Sequence, residues 1–320
     1  MDLSIIIPVY NTKRFLKDCI TPLIQSTSER FSQEILLIDN GSTDGSFKLA
    51  KEFEKKFPEI KVLKCATPGA AAVRNFGLKE AKGKYVWFID SDDFTKEGAA
   101  EKILERLKKT KADILVLGAE KVDENGKSLG LTLSAIKSPL DDPKIKQKDF
   151  VSKFIRYGLA PWQLVCRREF LVKNSLFFDE GMIHEDMALL SSFILFTDKV
   201  VSLEEPVYFY RQRSGSVLHS GVWNEKELDI FRALEKLSGR FEETDAYKRY
   251  YSEIEYFYIW NLLDDAARLF NKYPEGKKHF QEIRKALRER FPNWRKNKYL
   301  KDCPIMVRAR IFTAYFGIVW

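Results

Sequence analysis

A mainly parallel α/β sheet with helices on both faces is the fold class that the sequence predicts, and three observations predict it. Short apolar runs lack the polar alternation of a half-exposed strand, stretches of helical spacing separate them, and each run stops at turn-forming or acidic residues. Residues 3–10, Leu-Ser-Ile-Ile-Ile-Pro-Val-Tyr, read as the first strand, and Phe15, Cys19, Leu23 and Ile24 then recur as one face of a helix. Residues 34–39 are the second strand, stopped by Asn40-Gly41, and Phe47, Ala50, Phe53 and Phe57 mark the helix after it. A third strand covers 61–64, a third helix 70–80 and a fourth strand 85–90. Beyond Gly118 the regular order fades into loops and edge strands up to residue 150. From Trp223 onward Leu228, Phe231, Leu234, Leu237 and Phe241, then Phe280, Ile283, Leu287 and Phe291, repeat at three-four spacing and predict amphipathic helices. The expected division is 1–118, 119–220 and 221–320, two halves of one sheet domain and a helical C-terminal region.

The chain has 320 residues, 45% hydrophobic and 31% charged, enough to bury one large core or two modest ones and too apolar for a disordered polymer. Cys19, Cys65, Cys166 and Cys303 form no CxxC pair, which argues against a disulfide framework or structural zinc and predicts a cytoplasmic protein. The first apolar run is too short for a signal peptide, and no stretch reaches eighteen apolar residues, so neither export by that route nor a membrane span is expected. From Lys272 to the end, thirteen Lys/Arg face four Asp/Glu, a charge of +9 against +8 for the whole chain, so the first 271 residues sum to −1. A neutral body with a basic end suits an anionic surface better than nucleic acid.

In parallel sheets ligands sit beyond the carboxyl ends of the strands. Here those ends carry Pro8-Val9-Tyr10-Asn11, Asp39-Asn40-Gly41-Ser42, Thr67-Pro68-Gly69 and Asp90-Ser91-Asp92-Asp93. Three carboxylates within four residues repel one another unless a divalent cation offsets them, and Mg²⁺ or Mn²⁺ is held by one or two carboxylates plus substrate phosphates. The plain structural alternative is that Ser91 or Asp92 caps a helix starting near Thr95. Asn40-Gly41 makes a turn and a following Ser, Thr or Asp caps the next helix; Asp39 is surplus to that turn and could accept from a nucleobase N–H or a ribose hydroxyl. Arg74, opening a helix of small residues, would answer a phosphate or form a surface ion pair.

Taken in order, Ser-Ile-Ile-Ile-Pro-Val-Tyr-Asn, Ile-Asp-Asn-Gly-Ser-Thr-Asp, Pro-Gly-Ala-Ala-Ala-Val-Arg-Asn-Phe-Gly and Phe-Ile-Asp-Ser-Asp-Asp resemble glycosyltransferase family 2, inverting nucleotide-sugar transferases of GT-A fold. The resemblance covers roughly residues 2–220. It implies a nucleotide-diphosphate sugar donor, most often a UDP-sugar, a divalent Mn²⁺ or Mg²⁺ at a DxD motif, and a glycan or lipid-linked glycan acceptor. By the same resemblance residues 1–118 bind the donor and 119–220 the acceptor. Pro8, Val9 and Tyr10 would line the nucleoside pocket, Asp39 would meet the base, and Arg74 the ribose or diphosphate. Asp90, Ser91 and Asp92 would form the donor motif, with Asp92 on the metal and Asp90 on sugar or ribose hydroxyls or sharing the metal.

Displacement at an anomeric carbon needs a base for the acceptor hydroxyl. Ile-His-Glu-Asp-Met resembles the family's ED motif at the N-terminus of a helix, which makes Asp186 the base and Glu185 its neighbour on the acceptor side. Acids suited to a helix dipole are the structural alternative. Tyr208 to Ser216 is similar to the family's segment over the diphosphate, with Arg213 and Ser216 as donor contacts and His219 as a further metal candidate, or else an edge strand with solvated arginines. The region of Trp162 is expected to contribute to acceptor choice. Arg295, Lys296, Lys298, Lys301, Arg308 and Arg310 lead into a ten-residue apolar end, suited either to an anionic membrane surface or to packing back through Phe312, Phe316 and Trp320. Two other functions compete: a haloacid-dehalogenase-type phosphatase using Asp90 and Asp92, and a non-catalytic nucleotide- or glycan-binding protein. No GxGxxG follows the first strand, which disfavours a nicotinamide enzyme.

Overall fold

A computed structural model describes residues 1–25, 30–213 and 223–319. The chain forms two compact units: one takes in Met1–Phe150, Leu159–Gly181 and Phe196–Ser214, and the other Val151–Gly158, Met182–Leu195 and the chain after Ser214. The expected boundary at 118/119 lies within a strand of the first unit, Ile114–Val122.

The first unit is built on β1 (Leu3–Val9), β2 (Gln33–Asp39), β3 (Ile60–Lys64), β4 (Tyr85–Phe88), β5 (Phe94–Thr95), β6 (Ile114–Val122), β7 (Ser128–Leu133), β8 (Leu164–Arg167) and β9 (Val200–Arg211). Its helices include α1 (Lys13–Ile24), α2 (Ser46–Lys56), α3 (Ala70–Glu80) and α4 (Ala99–Thr110). The strand order is β3-β2-β1-β4-β8-β6-β9-β5, with β7 pairing β6. From β3 to β4 every pairing is parallel, as expected, whereas β8 runs antiparallel to both β4 and β6. β6 and β9 are again parallel, and β5 is antiparallel to β9. The segment read as loops and edge strands therefore contains the β6–β7 hairpin.

Local chemistry explains the parallel half. β1 and β2 are almost wholly buried, which requires the continuous apolar runs they carry. The β1–β4 register ends at Ile6↔Phe88, so Pro8 has no β4 partner to lose through its missing N–H. In α3 a Cβ on Gly77 would stand 2.4 Å from Ile6 Cγ2 and 2.8 Å from Ile38 Cδ1, so glycine is what allows that helix to lie on the sheet. At the core, Trp162 stacks on Tyr208 with centroids 4.4 Å apart, and Trp87 Nε1 donates to the Trp162 carbonyl at 2.9 Å.

The second unit is helical, as the spacing after Trp223 predicts. It contains α5 (Asp229–Glu242), α6 (Tyr251–Ile259), a π-helical stretch (Trp260–Ala266), α7 (Phe280–Arg290) and α8 (Ile305–Tyr315). Buried Asp264 accepts from Arg310 Nε at 2.6 Å and from Arg268 at 3.0 Å. Phe312 lies 5.5 Å from the Trp294 ring and Ile311 is fully buried, so this side of α8 packs back on the unit. Ile305, Met306, Phe316 and Ile318 remain exposed, and Trp320 lies outside the described residues. Among the described residues no helix is long and apolar enough to cross a membrane, and the four cysteines are free thiols.

Candidate active site

The carboxyl rim of β1, β2 and β4 is tied into one framework by short polar side chains. Asn11, in the left-handed region at φ 51°, accepts from Thr43 N at 2.8 Å, and Thr12 N donates to Ser46 Oγ at 3.0 Å. Asn40 donates to the carbonyls of Cys65 and Thr67, both at 2.9 Å, and accepts from Gly69 N at 2.9 Å, fixing the start of α3 against the end of β2. Asn40 reads in the sequence only as a turn residue, and the structure makes it a brace.

Asp39 corrects one expectation. It is buried at the end of β2, and its carboxylate accepts from Gly41 N at 3.1 Å and Ser42 N at 3.3 Å, so the turn uses the group that the sequence leaves as surplus. The side chain of Val9 is fully buried in the core, and its carbonyl accepts from Asn40 N at 2.9 Å. Pro8 is half-buried and Tyr10 is 61% exposed on the rim.

The acid run is a turn. Asp93 N donates to the Asp90 carbonyl at 3.1 Å, and the chain passes into β5 rather than into a helix; α4 starts only at Ala99, behind Gly98. Each acid has its own partner. Asp90 takes Arg74 Nη2 at 3.1 Å, Arg74 being buried with its guanidinium 5.4 Å from the Phe178 ring. Ser91 is also buried, and its Oγ accepts from Thr12 Oγ1 at 2.9 Å, so it ties the turn to the β1–α1 loop. Asp92 takes Arg213 Nε at 2.5 Å. Asp93, 1% exposed, accepts from Tyr208 Oη at 2.6 Å and Arg211 N at 2.7 Å. Burial, then the charges of Asp90 and Asp92, push the Asp93 carboxyl well above the usual carboxylate range, and burial likewise raises Tyr208 and Cys19.

Beneath the turn runs Arg211, which the sequence reading passed over in favour of Arg213. Its buried guanidinium donates to the Asp92 carbonyl at 2.8 Å and the Glu124 carbonyl at 2.5 Å, and meets Asp18 at 3.3 Å. It also lies 5.0 Å from both the Phe15 and Phe94 rings. The signal was present in outline, since residues 211 and 213 share one face of an extended chain. Trp162 is 4% exposed and belongs to the aromatic core.

In the second unit the expected helix start at the ED motif is replaced by a series of turns leading into a 3₁₀ helix (Leu190–Leu195). His184 has φ 61°, and its Nε2 lies 3.3 Å from buried Glu227 Oε2. Ile183 N donates to Asp229 at 3.0 Å, so the loop is fastened just before that residue. Asp186 is half-buried and accepts from its neighbour Met187 N at 2.8 Å, and Glu185 is half-buried beside it. Ser216 and His219 lie outside the described residues.

Asp90 and Asp92 offer hard carboxylate oxygens on one short turn, the donor type that suits Mg²⁺ or Mn²⁺. Among the described residues no group of three or more His, Cys, Asp or Glu makes a ready cage. The donor set thus fits a cation held by one or two carboxylates and completed by phosphate oxygens.

The chain is 29% identical over 242 residues to "Glycosyltransferase GlyG" of Streptococcus pneumoniae serotype 4, covering 72% of this chain and 78% of that protein. Its fold is similar to that of S. aureus TarS 1–349 in complex with UDP-GlcNAc, with a TM-score of 0.74, 20% identity, and coverage of 98% of this chain and 89% of that one. A more distant likeness, at TM-score 0.53 and 15% identity over 98% of this chain and 86% of the other, is to the mannosyltransferase PcManGT from Pyrobaculum calidifontis in complex with GDP-Man and Mn²⁺. The sheet with flanking helices and a helical C-terminal region is thus the GT-A-like architecture. The "Glycosyl transferase family 2" model matches residues 4–169, more than half of the chain and the whole rim described above, and the chain is a glycosyltransferase belonging to that family.

Proposed function

We propose that the protein is an inverting transferase that moves a hexosyl or N-acetylhexosaminyl group from a UDP-sugar to a hydroxyl of a glycan or lipid-linked glycan. The observation that carries this reading is the acid turn at the rim: Asp90 and Asp92 are partly exposed, while Arg74, Arg211 and Tyr208 hold the turn from below. TarS in complex with UDP-GlcNAc supports a UDP-sugar, and PcManGT with GDP-Man and Mn²⁺ supports a divalent cation. Asp92, with Asp90, would hold Mn²⁺ or Mg²⁺, which when bound offsets the charge that develops on the diphosphate.

The chain's own groups do the rest. Tyr10 and Pro8 meet the nucleoside, Arg213 is the cation for the diphosphate with Arg74 fixing Asp90 beside it, and Ser216 is a further donor contact. Asp186 takes the proton of the attacking acceptor hydroxyl as the bond to the nucleotide breaks on the opposite face, which inverts the anomeric centre, and Glu185 sits on the acceptor side. The exposed apolar ends of α8, beside a segment of charge +9, suit an anionic membrane surface, where a lipid-linked acceptor would be found. Release of UDP from a panel of UDP-sugars, with Mn²⁺ and oligosaccharide acceptors, tests the base. Asp186→Asn is expected to lose about 10²–10⁴-fold in turnover while binding UDP as before. Equal turnover in the variant would remove Asp186 from the mechanism.

A further inference from the structure

We infer that Arg213 is a built-in counter-ion for the cation site, one that competes with a metal for the charge of Asp92 and that links metal binding to nucleotide binding. The inference rests on the reading of Asp92 as a metal ligand. It starts from a difference between the two carboxylates of the turn. Asp90 is paired with Arg74, which projects from the middle of α3, is buried, and stands against Phe178. Phe178 is itself clamped to α3, its N donating to Asn75 Oδ1 and its carbonyl accepting from Asn75 Nδ2, both at 2.9 Å. That partner is part of the framework. Asp92 is paired with Arg213, which lies two residues beyond the end of β9, where the ladder to β6 has stopped. Both side chains of this pair are 21% exposed, so the guanidinium can exchange its carboxylate for another anion without stranding a buried charge.

Every carboxylate of the turn already has a partner without a metal. Arg74 meets Asp90, Arg213 meets Asp92, Arg211 meets Asp18, and Asp93 is buried with its hydrogen bonds filled by Tyr208 and Arg211. A divalent cation arriving alone competes with Arg213 for the charge of the Asp92 carboxylate and weakens that pair, with nothing offered to the guanidinium in exchange. The same cation arriving with a nucleoside diphosphate supplies phosphate oxygens to which Arg213 can move, a bidentate geometry that guanidinium favours. Arg213 therefore opposes metal alone and favours metal with diphosphate, and by reciprocity the nucleotide tightens the metal as much as the metal tightens the nucleotide.

The test is Mn²⁺ binding to the full chain, followed by the signal of free Mn²⁺ in electron paramagnetic resonance, without nucleotide and then with saturating UDP. In Arg213→Gln, Mn²⁺ alone is expected to bind about two- to fivefold tighter than in the unaltered protein, the range for one partly exposed charged pair. The tightening of Mn²⁺ by UDP is expected to shrink by a similar or larger factor, while Arg213→Lys, which keeps the charge, lies between the two. Unchanged or weaker binding of Mn²⁺ alone in Arg213→Gln overturns the inference. Asp92→Asn separates the two levels of the reading: if it leaves Mn²⁺ binding intact, the assignment of Asp92 as ligand falls and the counter-ion role with it. If Asp92→Asn abolishes binding and Arg213→Gln does not tighten it, the counter-ion role alone falls.

Discussion

Replacing Tyr208 by phenylalanine removes one buried oxygen and leaves the stack on Trp162, at 4.4 Å and 4° between planes, in place. No cavity forms, so the cost is that of the hydroxyl. That group donates to Asp93 Oδ2 at 2.6 Å and accepts a weaker bond from Asp90 N at 3.3 Å. Asp93 keeps Arg211 N on Oδ1 at 2.7 Å but is 1% exposed, so water does not reach the abandoned oxygen. Stranding one buried acceptor costs roughly 1–3 kcal/mol, and about 2 kcal/mol corresponds to about a 30-fold shift in the local opening equilibrium.

The expected readout is native-state hydrogen exchange in EDTA. The amides of Asp93 and Arg211, which close the turn, should exchange about 30-fold faster in Tyr208→Phe, with those of β1 and β2 unchanged. The pH dependence has a definite sign. Burial and the neighbouring acids raise the folded Asp93 above its unfolded value, so between the two values the folded state holds a proton that the unfolded chain has lost, and stability falls as pH rises. Removing the Tyr208 donor raises Asp93 further, so the variant's loss should not shrink as pH rises. Acceleration of less than about threefold, or a loss that shrinks as pH rises, would refute the view that Tyr208 holds the turn through Asp93.

Two further outcomes follow from the packing and the surface charge. Gly77→Ala should lower the melting temperature, because overpacking against fully buried Ile6 and Ile38 costs about 1–3 kcal/mol and exceeds the gain in helix propensity of about 1 kcal/mol; an equal or higher melting temperature would mean that α3 can lift off the sheet. Glu205, hydrogen-bonded by Lys102 and then Lys96, is lowered from 4.5 to about 2, so its contribution is complete above about pH 4.5 and is lost as pH falls towards 2. Glu205→Gln should flatten that part of the acid unfolding curve in low salt and change little in high salt, and an unaltered acid limb would contradict the assignment.

The legible part of the molecule is the part whose causes are local. β1 through β4 and their helices were readable because a strand buried on both faces must be continuously apolar, and α3 has the bounds that its spacing predicts. The mixed half was not, since β8 has only four residues and owes its place to antiparallel partners far away in the chain. The same limit applies at the site. Residue type and position gave Asp90, Asp92 and Arg74 as a group, and the structure brings Arg74 to Asp90 and Arg213 to Asp92. Which groups face inward is a property of the tertiary fold, so the burial of Ser91, Val9 and Trp162 is not legible in the sequence, nor is the place of Arg211 beneath the turn. The phosphatase alternative failed on order, because three β-α units precede the acid turn and the family match spans all of them.

The most direct test of the central claim, that the Asp90–Asp93 turn holds a metal–nucleotide pair, is calorimetric titration of UDP into the protein with Mn²⁺ and again with EDTA, with GDP and CMP alongside. The expected result is UDP binding that collapses without the metal and in Asp92→Ala. UDP binding that is equal in EDTA and indifferent to Asp92→Ala would contradict it.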